Sequence, residues 1–502
     1  MSAKTMVLIL VCVALIIEKI DFDNIAETFK KHIRPFIKPF GIVYGINLIA
    51  LSALFRANFY YIDDMGRACR GYKGWEGFSR FTANFLSRWV HASNYLTDVS
   101  PLTQFIAIGI MTCACIILLY AYTAKKTYNV WHYIAVIPLC LSPYFLECIS
   151  YKYDSPYMAL SVLASVLPLL FRKKNICLYA VSVITGVLVV CTTYQAACGI
   201  FPMFVVVFLL RDWNSAEADN KQLLKNLAIS VIAYGIGLLI FKRFIMKPVD
   251  TYVSNSISCS LIIPHFKQYY KLIFSDFKKS WLIFLAVIIA AYIAVFTRDS
   301  KRDKFAAFAL AVLSVAIICL TPFGLYPAIE RPLMAPRAMY GFGALICLFA
   351  LVVSNAKRIY WGKIATFFLA WTFFVFAFTY GNALYMQAKY TDYRICLITN
   401  DLNELDICKT DITKELQISG WMGYAPAVKN IPADCGILRR LIPVTLCQEW
   451  SWGSCGLANY YGLKNIKIVL GTDFSKMQLP ILKQTSLHTI KGDDARILVE
   501  IH

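Results

Sequence analysis

The sequence predicts a mainly α-helical protein, a polytopic transmembrane bundle followed by a small soluble α+β domain. Of its 502 residues, 59% are hydrophobic and only 16% are charged, far from the composition of an ordinary soluble domain. Apolar runs of roughly 20 residues, enough to cross a bilayer core of about 30 Å, recur between charged breaks. After residue 385 the polarity becomes mixed, and strand-like runs appear at residues 466–470 and 497–501.

About eleven apolar segments are predicted to be membrane spans. They lie near residues 39–55, 103–123, 128–147, 155–171, 175–193, 194–210, 226–246, 280–297, 305–326, 338–354 and 364–385. A shorter apolar run at residues 5–17 fits a short span, an interfacial helix or a signal-like segment. The predicted domains are an N-terminal segment of open membrane placement (1–38), a transmembrane domain (39–385) with a long first outer loop (56–102), and a soluble domain (386–502).

The positions of lysine and arginine predict the orientation of these spans. Basic residues in short loops stay on the cytoplasmic side, and here they follow every second span, as at Lys125 and Lys126. Loop 56–102 and the segment 386–502 are then both on the outer side. The formal net charge of +20 is partly this bias. Because the basic residues form no face with base-stacking aromatics, no nucleic-acid partner is expected.

Charged and polar residues concentrate at the outer span ends. Loop 56–102 opens with NFYYIDDMGRACRGYKGW, where Asp63 and Asp64 stand beside Arg67. Its second half, GWEGFSRFTANFLSRWV, repeats aromatics at helical spacing, as in a helix that lies in the interface plane or one that merely caps the bundle. The other outer clusters contain Lys152, Tyr153 and Asp154; Tyr194 and Gln195; and Arg331 and Arg337.

These clusters indicate a single outward-facing polar site, although each alone also fits an interface anchor or a salt bridge. Ionisable groups so close to hydrocarbon are costly unless they are paired or functional. Nucleotide sugars and ATP are cytoplasmic, and the cytoplasmic loops have no phosphate-cradling glycine loop. A group transfer on the outer side therefore needs an activated donor delivered by the membrane, such as a polyprenyl-phosphate sugar.

The residue types match the roles that such a transfer requires. A carboxylate removes the proton from the attacking hydroxyl, and a cation stabilises the departing phosphate. We expect Asp63 or Asp64 to be the general base. We expect Arg337, with Arg331 or Lys152, to hold the phosphate, because a planar guanidinium suits bidentate contact. The sequence has no Cys/His ligand cluster, so a structural zinc site has little support, and no cofactor is expected.

The segment 386–502 is predicted to recognise the acceptor and to close the site. Its stretch CQEWSWGSCGLANYYGL is dense in aromatics, and Trp450 and Trp452 are candidates to stack on sugars. The alternative is that these aromatics form the core of the small domain, which composition favours. An oxidising exterior would allow four of its five cysteines to pair, namely Cys396, Cys408, Cys435, Cys447 and Cys455.

Five stretches carry a resemblance to a known family. They are YYIDDMGRACRGYKGW, DVSPLTQ, SYKYDSPYMALS, TTYQAA and, more loosely, EWSWGSCGLANYYGLKN. Together they resemble the bacterial serotype-converting O-antigen glucosyltransferases from about residue 40 onward. The resemblance implies a GT-C type enzyme of the inner membrane. It would take glucose from undecaprenyl-phosphate glucose and add it to lipid-linked O-antigen repeat units on the periplasmic face, without a metal.

The resemblance also implies roles for particular residues and partners. A catalytic aspartate in the first long outer loop corresponds to Asp63 or Asp64, and Arg67 joins the phosphate-binding candidates. Candidate partners besides the two substrates are membrane lipids, a donor synthase and a donor flippase. The substrate-binding candidates of the membrane domain are Tyr61, Tyr153, Asp154, Tyr194 and Gln195.

Other classes of protein stay open at this point. A transporter or flippase of polyprenyl-linked sugars should carry charged or helix-breaking positions in mid-span, whereas here the ionisable residues cluster at span ends. A receptor or assembly protein would not require adjacent carboxylates at the membrane edge. Among enzymes, an O-antigen polymerase is the nearest alternative.

Overall fold

The computed structural model describes residues 31–216, 218–247, 256–407, 412–431, 435–448, 462–469 and 472–502. In these residues the chain is mainly helical, with one small sheet towards its C-terminal end. The apolar run at residues 5–17 and the two tryptophans Trp450 and Trp452 lie outside the described residues. The predicted pairing of tail cysteines stays a prediction, because Cys408 and Cys455 lie outside them too.

Helices follow one another through most of the chain. Those before the sheet are α1 (Arg34–Ala50), α2 (Ser52–Ala57), α3 (Asp64–Arg70), α4 (Phe81–Val90), α5 (Leu102–Thr123), α6 (Val130–Leu141), α7 (Pro143–Ser150), α8 (Ser155–Val166), α9 (Ile176–Thr193), α10 (Ile200–Asn214), α11 (Asn220–Ile240), α12 (Ile262–Asp276), α13 (Lys279–Arg298), α14 (Lys304–Leu320), α15 (Gly341–Asn355) and α16 (Tyr360–Glu404). Two short helices, α17 (Pro426–Lys429) and α18 (Gly436–Leu441), lie within the C-terminal part.

In the described part of the chain, six helices are long and apolar enough to cross a membrane. They are Leu102–Thr123, Ile176–Thr193, Gln195–Asn214, Asn220–Ile245, Lys279–Arg298 and Tyr360–Glu404. Shorter apolar helices, Ser155–Phe171, Lys304–Leu320 and Gly341–Asn355, pack among them. The fold is thus that of a helical membrane protein, and the count of eleven spans stays a prediction.

The centre of the bundle is α15. All of its side chains from Gly341 to Ser354 are buried, so this helix is apolar on every face and contacts protein on all sides. Helix α11, in contrast, exposes large apolar side chains such as Val231, Ile232 and Leu239. An exposed apolar face of this kind is suited to lipid.

One predicted span, residues 128–147, is broken in the structure. Helices α6 and α7 meet at Ser142 with a bend of 58°. Pro143 begins α7 and has no amide hydrogen to donate, while the Ser142 hydroxyl caps the new helix by accepting from the Phe145 amide at 3.4 Å. Helix α7 is buried along its whole length. The bend therefore directs Glu147 into the protein.

Helix α16 joins the bundle to the small sheet domain. It runs for 45 residues without a break, about 68 Å at 1.5 Å per residue. The predicted domain boundary at residue 385 lies inside it. Just beyond this boundary, the Gln387 side chain accepts from the Ala425 amide at 2.8 Å and donates to the Gly423 carbonyl at 3.3 Å.

The small domain contains a five-stranded sheet with the order β2-β1-β5-β4-β3. Its strands are β1 (Lys414–Gly420), β2 (Ile466–Ile468), β3 (Ile481–Gln484), β4 (His488–Gly492) and β5 (Arg496–Ile501). Strand β1 pairs in parallel with β2 and β5, and the other pairs are antiparallel. The two strands predicted from apolar runs are confirmed as β2 and β5. Ile418, Ile490 and Val499 of the sheet pack with Ile398 and Leu402 of α16.

The second half of the first outer loop does not form the single aromatic-faced helix that the sequence predicts. Residues 75–90 form a short turn of helix followed by α4, and the aromatics do not share one face. Trp75 is buried, whereas Phe85 and Trp89 are exposed. The face of α4 that packs inward carries the small residues Ala83 and Ser87. Only the second part of the predicted aromatic face is therefore available to a membrane surface.

A close approach of two backbones holds α16 against α2. A Cβ atom on Gly381 would lie 2.4 Å from the Leu54 nitrogen and 2.5 Å from the Ala53 carbonyl carbon. We expect Gly381→Ala to lower the free energy of unfolding by about 1–3 kcal/mol, because the two backbones must separate. The measurement is the thermal melting temperature in detergent.

Gly45→Ala is the matched control, since nothing lies within 4 Å of a Cβ atom at Gly45 on α1. This change should leave the melting temperature unchanged or raise it slightly, because alanine favours a helix by about 0.5–1 kcal/mol over glycine. Equal melting temperatures for the two variants would contradict the close packing of α16 on α2.

Candidate active site

Two adjoining cavities lie where the first outer loop, the segment after α7 and the loop before α15 meet the sheet domain. The smaller cavity has a volume of about 560 Å³ and is lined by residues that include Asp63, Arg67, Trp75, Arg80, Asp154, Tyr194 and Arg337. The larger cavity has a volume of about 900 Å³ and is lined by residues that include Tyr61, Glu147, Arg337, Trp421, Tyr424, Arg440 and Gln448. Ile62 and Arg337 line both cavities.

Asp63 and Asp64 point in different directions at the start of α3. The side chain of Asp63 is 39% exposed and lines the smaller cavity. Asp64 is fully buried, and its Oδ2 accepts from the backbone amides of Tyr61 at 3.0 Å and Lys152 at 2.9 Å. The pair therefore divides into one carboxylate that faces the cavity and one that joins two loops.

The turn before the pair is strained. Ile62 has a φ of 48°, in the left-handed region that β-branched residues rarely adopt. Strain of this kind costs about 1–3 kcal/mol and persists only where surrounding contacts hold it. Here the Tyr61 amide, one residue earlier, is held by Asp64. The buried carboxylate thus supports the turn that presents Asp63.

Burial raises the pKa of Asp64 to about 7. Its hydrogen bond from the Lys152 amide and the charge of Arg67 act in the opposite direction but do not cancel the loss of hydration. The charged form of Asp64 is therefore disfavoured in the folded protein.

Arg67 lies in the smaller cavity with its charge already compensated. Its guanidinium forms an ion pair with the buried Asp154 and lies over the Trp75 ring, 4.9 Å from the ring centroid. The Trp75 indole N–H donates to Asp154 at 2.5 Å. Asp63 is further away, 3.9 Å from the nearest Arg67 nitrogen. Asp154, predicted to bind substrate, therefore also holds Arg67 and Trp75 in place.

Arg337 lies between the two cavities and is held by Glu147. The Arg337 amide donates to one Glu147 oxygen at 2.6 Å, and its guanidinium donates to the other at 2.7 Å. Glu147 is buried and belongs to α7, so the bend at Ser142 is what brings this carboxylate to Arg337. The arginine predicted to hold the phosphate is thus positioned by backbone and side chain together.

The other two predicted phosphate ligands lie elsewhere. The Lys152 ammonium donates to Asn58 Oδ1 at 2.6 Å and pairs with Asp98 at 3.1 Å, over the Tyr60 ring. Arg331 is exposed. Neither residue is among those that line the two cavities. The structure therefore groups Arg67, not Lys152 or Arg331, with Arg337.

Two of the predicted substrate-binding tyrosines line the cavities. Tyr61 lies in the larger cavity and donates from its hydroxyl to the Leu441 carbonyl of the sheet domain at 2.8 Å. Tyr194 lies in the smaller cavity, where its ring stacks with Tyr340 at a centroid distance of 6.0 Å.

Two further candidates lie behind the cavity walls. Tyr153 is buried and stacks on His91. Gln195 donates to the Phe78 carbonyl at 2.9 Å. Gln195 thus contacts the lining residue Phe78, and Tyr153 belongs to the same buried cluster as the lining residue Trp75.

Sequence reasoning missed several lining residues. Arg80 and Trp75 were placed on a predicted interfacial helix, and the only available signal was their position within the same charged loop. Trp421 and Tyr424 form the sheet-domain wall of the larger cavity, with ring centroids 5.5 Å apart. In the sequence, Trp421 and Tyr424 are only two aromatics, and they are less conspicuous than the aromatic-rich stretch at residues 447–463.

Comparison with known proteins decides which family the chain belongs to. Residues 52–349, more than half of the chain, match the family described as Glucosyl transferase GtrII. The chain belongs to this family. The GtrII range includes every residue that lines the smaller cavity, whereas the sheet-domain wall of the larger cavity lies beyond it.

A phage protein is similar to most of the chain. A protein of Salmonella phage P22, described as an uncharacterized 55.3 kDa protein in the gtrB 5′ region, is 24% identical over 439 residues. The aligned part covers 82% of this GtrII family member and 88% of the phage protein. No solved structure matches the chain.

The raised pKa of Asp64 predicts a pH-dependent stability. Below about pH 4 the carboxyl is neutral in both folded and unfolded chains, so its contribution is fully present there. As the pH rises to about 7 the unfolded chain ionises first, and folding loses up to roughly 4 kcal/mol. Asp64→Asn has no such loss, so its melting temperature relative to the natural protein should increase from pH 5 to pH 8.

The measurement is a pair of melting curves in detergent at each pH. The difference between the two proteins cancels the titration of all other groups that they share. A difference that is equal at pH 5 and pH 8 would contradict the raised pKa of Asp64.

Proposed function

We propose that the protein transfers glucose from a polyprenyl-phosphate donor to O-antigen repeat units on the periplasmic face of the bacterial inner membrane. Membership of the GtrII family and the long apolar helices support a membrane glucosyltransferase. The observation that carries the proposal is the smaller cavity, in which the accessible carboxylate of Asp63 faces a wall with three arginines. This wall lies wholly within the family match.

The arrangement suits an attack by an acceptor hydroxyl on C1 of the donor glucose. As the new C–O bond forms, the bond between C1 and the phosphate oxygen breaks, and its electron pair remains on that oxygen. Asp63 takes the hydroxyl proton, and the cationic wall stabilises the additional charge on the phosphate. The products are the glucosylated repeat unit and polyprenyl phosphate, and no step requires a metal.

The two cavities suggest separate places for the two substrates. The smaller cavity, with Arg67 and Arg337, suits the phosphate and sugar of the donor. The larger cavity suits the acceptor, because Trp421 and Tyr424 offer aromatic faces on which sugars stack. Since Arg337 belongs to both, the reacting groups would meet beside it. The sheet domain would then recognise the acceptor.

The proposed topology follows from the distribution of basic residues. Lysines and arginines that recur after every second predicted span belong to the cytoplasmic loops. A GT-C type arrangement of about eleven spans would then place loop 56–102 and the sheet domain in the periplasm. A donor delivered by a synthase and a flippase reaches the site from the same leaflet.

Asp63→Asn tests the proposed base. We expect glucose transfer by the purified protein to fall at least hundredfold, because a general base contributes about 10²–10⁴-fold. Asp64→Asn should retain transfer within about tenfold, since an amide oxygen can still accept from the two loop amides. The measurement is transfer of labelled glucose from polyprenyl-phosphate glucose to isolated lipid-linked O-antigen.

In cells, the corresponding readout is O-antigen composition. The natural protein should add glucose branches, whereas an altered chain length without glucose would indicate a polymerase. Near-normal branching by Asp63→Asn at normal expression would exclude Asp63 as the base.

Trp421→Ala tests the acceptor side. The side chain is 52% exposed within the larger cavity. Loss of one stacking face, worth about 1 kcal/mol or more, should raise the acceptor KM at least fivefold and leave the donor KM unchanged. Tyr393→Ala is the control, because Tyr393 is an exposed aromatic of α16 that lines neither cavity. Equal acceptor KM values in both variants would contradict this assignment.

A further inference from the structure

Arg80 differs from the other two arginines of the smaller cavity. Arg67 pairs with Asp154, and Arg337 pairs with Glu147. Among the residues that the structure describes, no carboxylate forms an ion pair with Arg80. The wall therefore contains two neutralised guanidiniums and one whose charge is left to a ligand.

The Arg80 side chain is nonetheless held in place. Its guanidinium lies 4.5 Å from the ring centroid of Tyr194 and 5.0 Å from that of Phe78. The Arg80 amide donates to the Trp75 carbonyl at 3.1 Å. Aromatic faces orient a guanidinium without occupying its N–H donors. The aromatic rings thus position the guanidinium without using any of its N–H donors.

One donor of this side chain is both buried and unsatisfied. Within the described parts of the chain, the Arg80 Nε–H has no acceptor and is shielded from solvent. A buried donor on a charged group is costly when it lacks a partner. A ligand oxygen entering the cavity would satisfy this donor and balance the charge.

We propose that Arg80 binds the donor phosphate, an inference that rests on the proposed function. Nε–H together with an Nη–H of a guanidinium forms a bidentate contact with two phosphate oxygens. The phosphodiester has one negative charge, which Arg80 balances. Arg80 thus binds the phosphate, and Asp63 is left to accept the hydroxyl proton. The product, polyprenyl phosphate, gains charge when the glycosidic bond breaks and therefore binds Arg80 at least as well as the donor.

The test compares Arg80→Gln with Arg88→Gln in the full-length protein in nanodiscs. Arg88 lies on α4, which begins directly after Arg80, and it is exposed and lines neither cavity. The quantities measured are the donor KM, kcat, and the inhibition constant of polyprenyl phosphate. Arg80→Gln should raise the donor KM and the inhibition constant at least tenfold, as expected for loss of a charge-assisted contact. Arg88→Gln should change neither.

An unchanged donor KM and an unchanged inhibition constant in Arg80→Gln would overturn the proposal. This holds even if kcat or the melting temperature falls, because Arg80 would then affect catalysis or stability without binding the phosphate. If Arg80→Gln does not fold, Arg80→Lys replaces it and the same comparison decides. Lysine retains the charge but not the planar fork, so at least a threefold rise in both binding quantities is expected.

A second competitor separates a lipid phosphate from free phosphate. Inorganic phosphate should compete with the donor far more weakly than polyprenyl phosphate does. Equal competition would mean that the site serves free phosphate, which would overturn the assignment to the donor. If the natural protein transfers no glucose at all, the proposed function itself fails. If it is active and the Arg80 variants bind donor normally, only the role of Arg80 fails.

Discussion

The arrangement of the site depends on one buried carboxylate. Asp64 accepts amides from Tyr61 and Lys152, and so ties the first outer loop to the segment between α7 and α8. Burial makes the charged form of this carboxylate unfavourable, as its raised pKa shows. The contact nonetheless supports the left-handed Ile62 and sets the direction of Asp63. Burial of Asp64 thus lowers the stability of the fold near neutral pH, while its hydrogen bonds fix the positions of two loops beside one cavity.

Local features of the sequence indicate candidate residues for the site but not their geometry. Adjacent carboxylates after an apolar run are visible in any window, so the sequence singles out Asp63 and Asp64. Which one faces the cavity depends on the conformation of Ile62 and on an amide 88 residues away from Asp64. The charge of Lys152 is equally visible, but its pairing with Asp98 is a long-range contact that no spacing reveals. Two of the four predicted phosphate ligands therefore lie away from the smaller cavity, and Arg80, which lines it, is not among the four.

The fold shows the same division between local and long-range information. Apolar runs predicted a mainly helical chain and the strands β2 and β5, and the structure contains both. The break at Ser142 was missed although Pro143 marks it, because hydrophobicity continues across it. The predicted span at residues 364–385 lies within the longer helix α16, because hydrophobicity declines after residue 385 while no glycine or proline follows until Gly420. Apolar length alone thus identifies lipid-compatible segments but does not mark where a helix ends.

The unbroken course of α16 limits how the sheet domain can move relative to the membrane helices. A helix of 45 residues without a proline has no hinge, and it is fixed to the bundle at Gly381 and to the sheet domain at Gln387. This connection contains no proline or break about which the sheet domain could move away from the membrane helices. The polymeric acceptor proposed above would then enter from the side, between the sheet domain and the bundle. Glucose could be added to repeat units within such a polymer without starting from its free end.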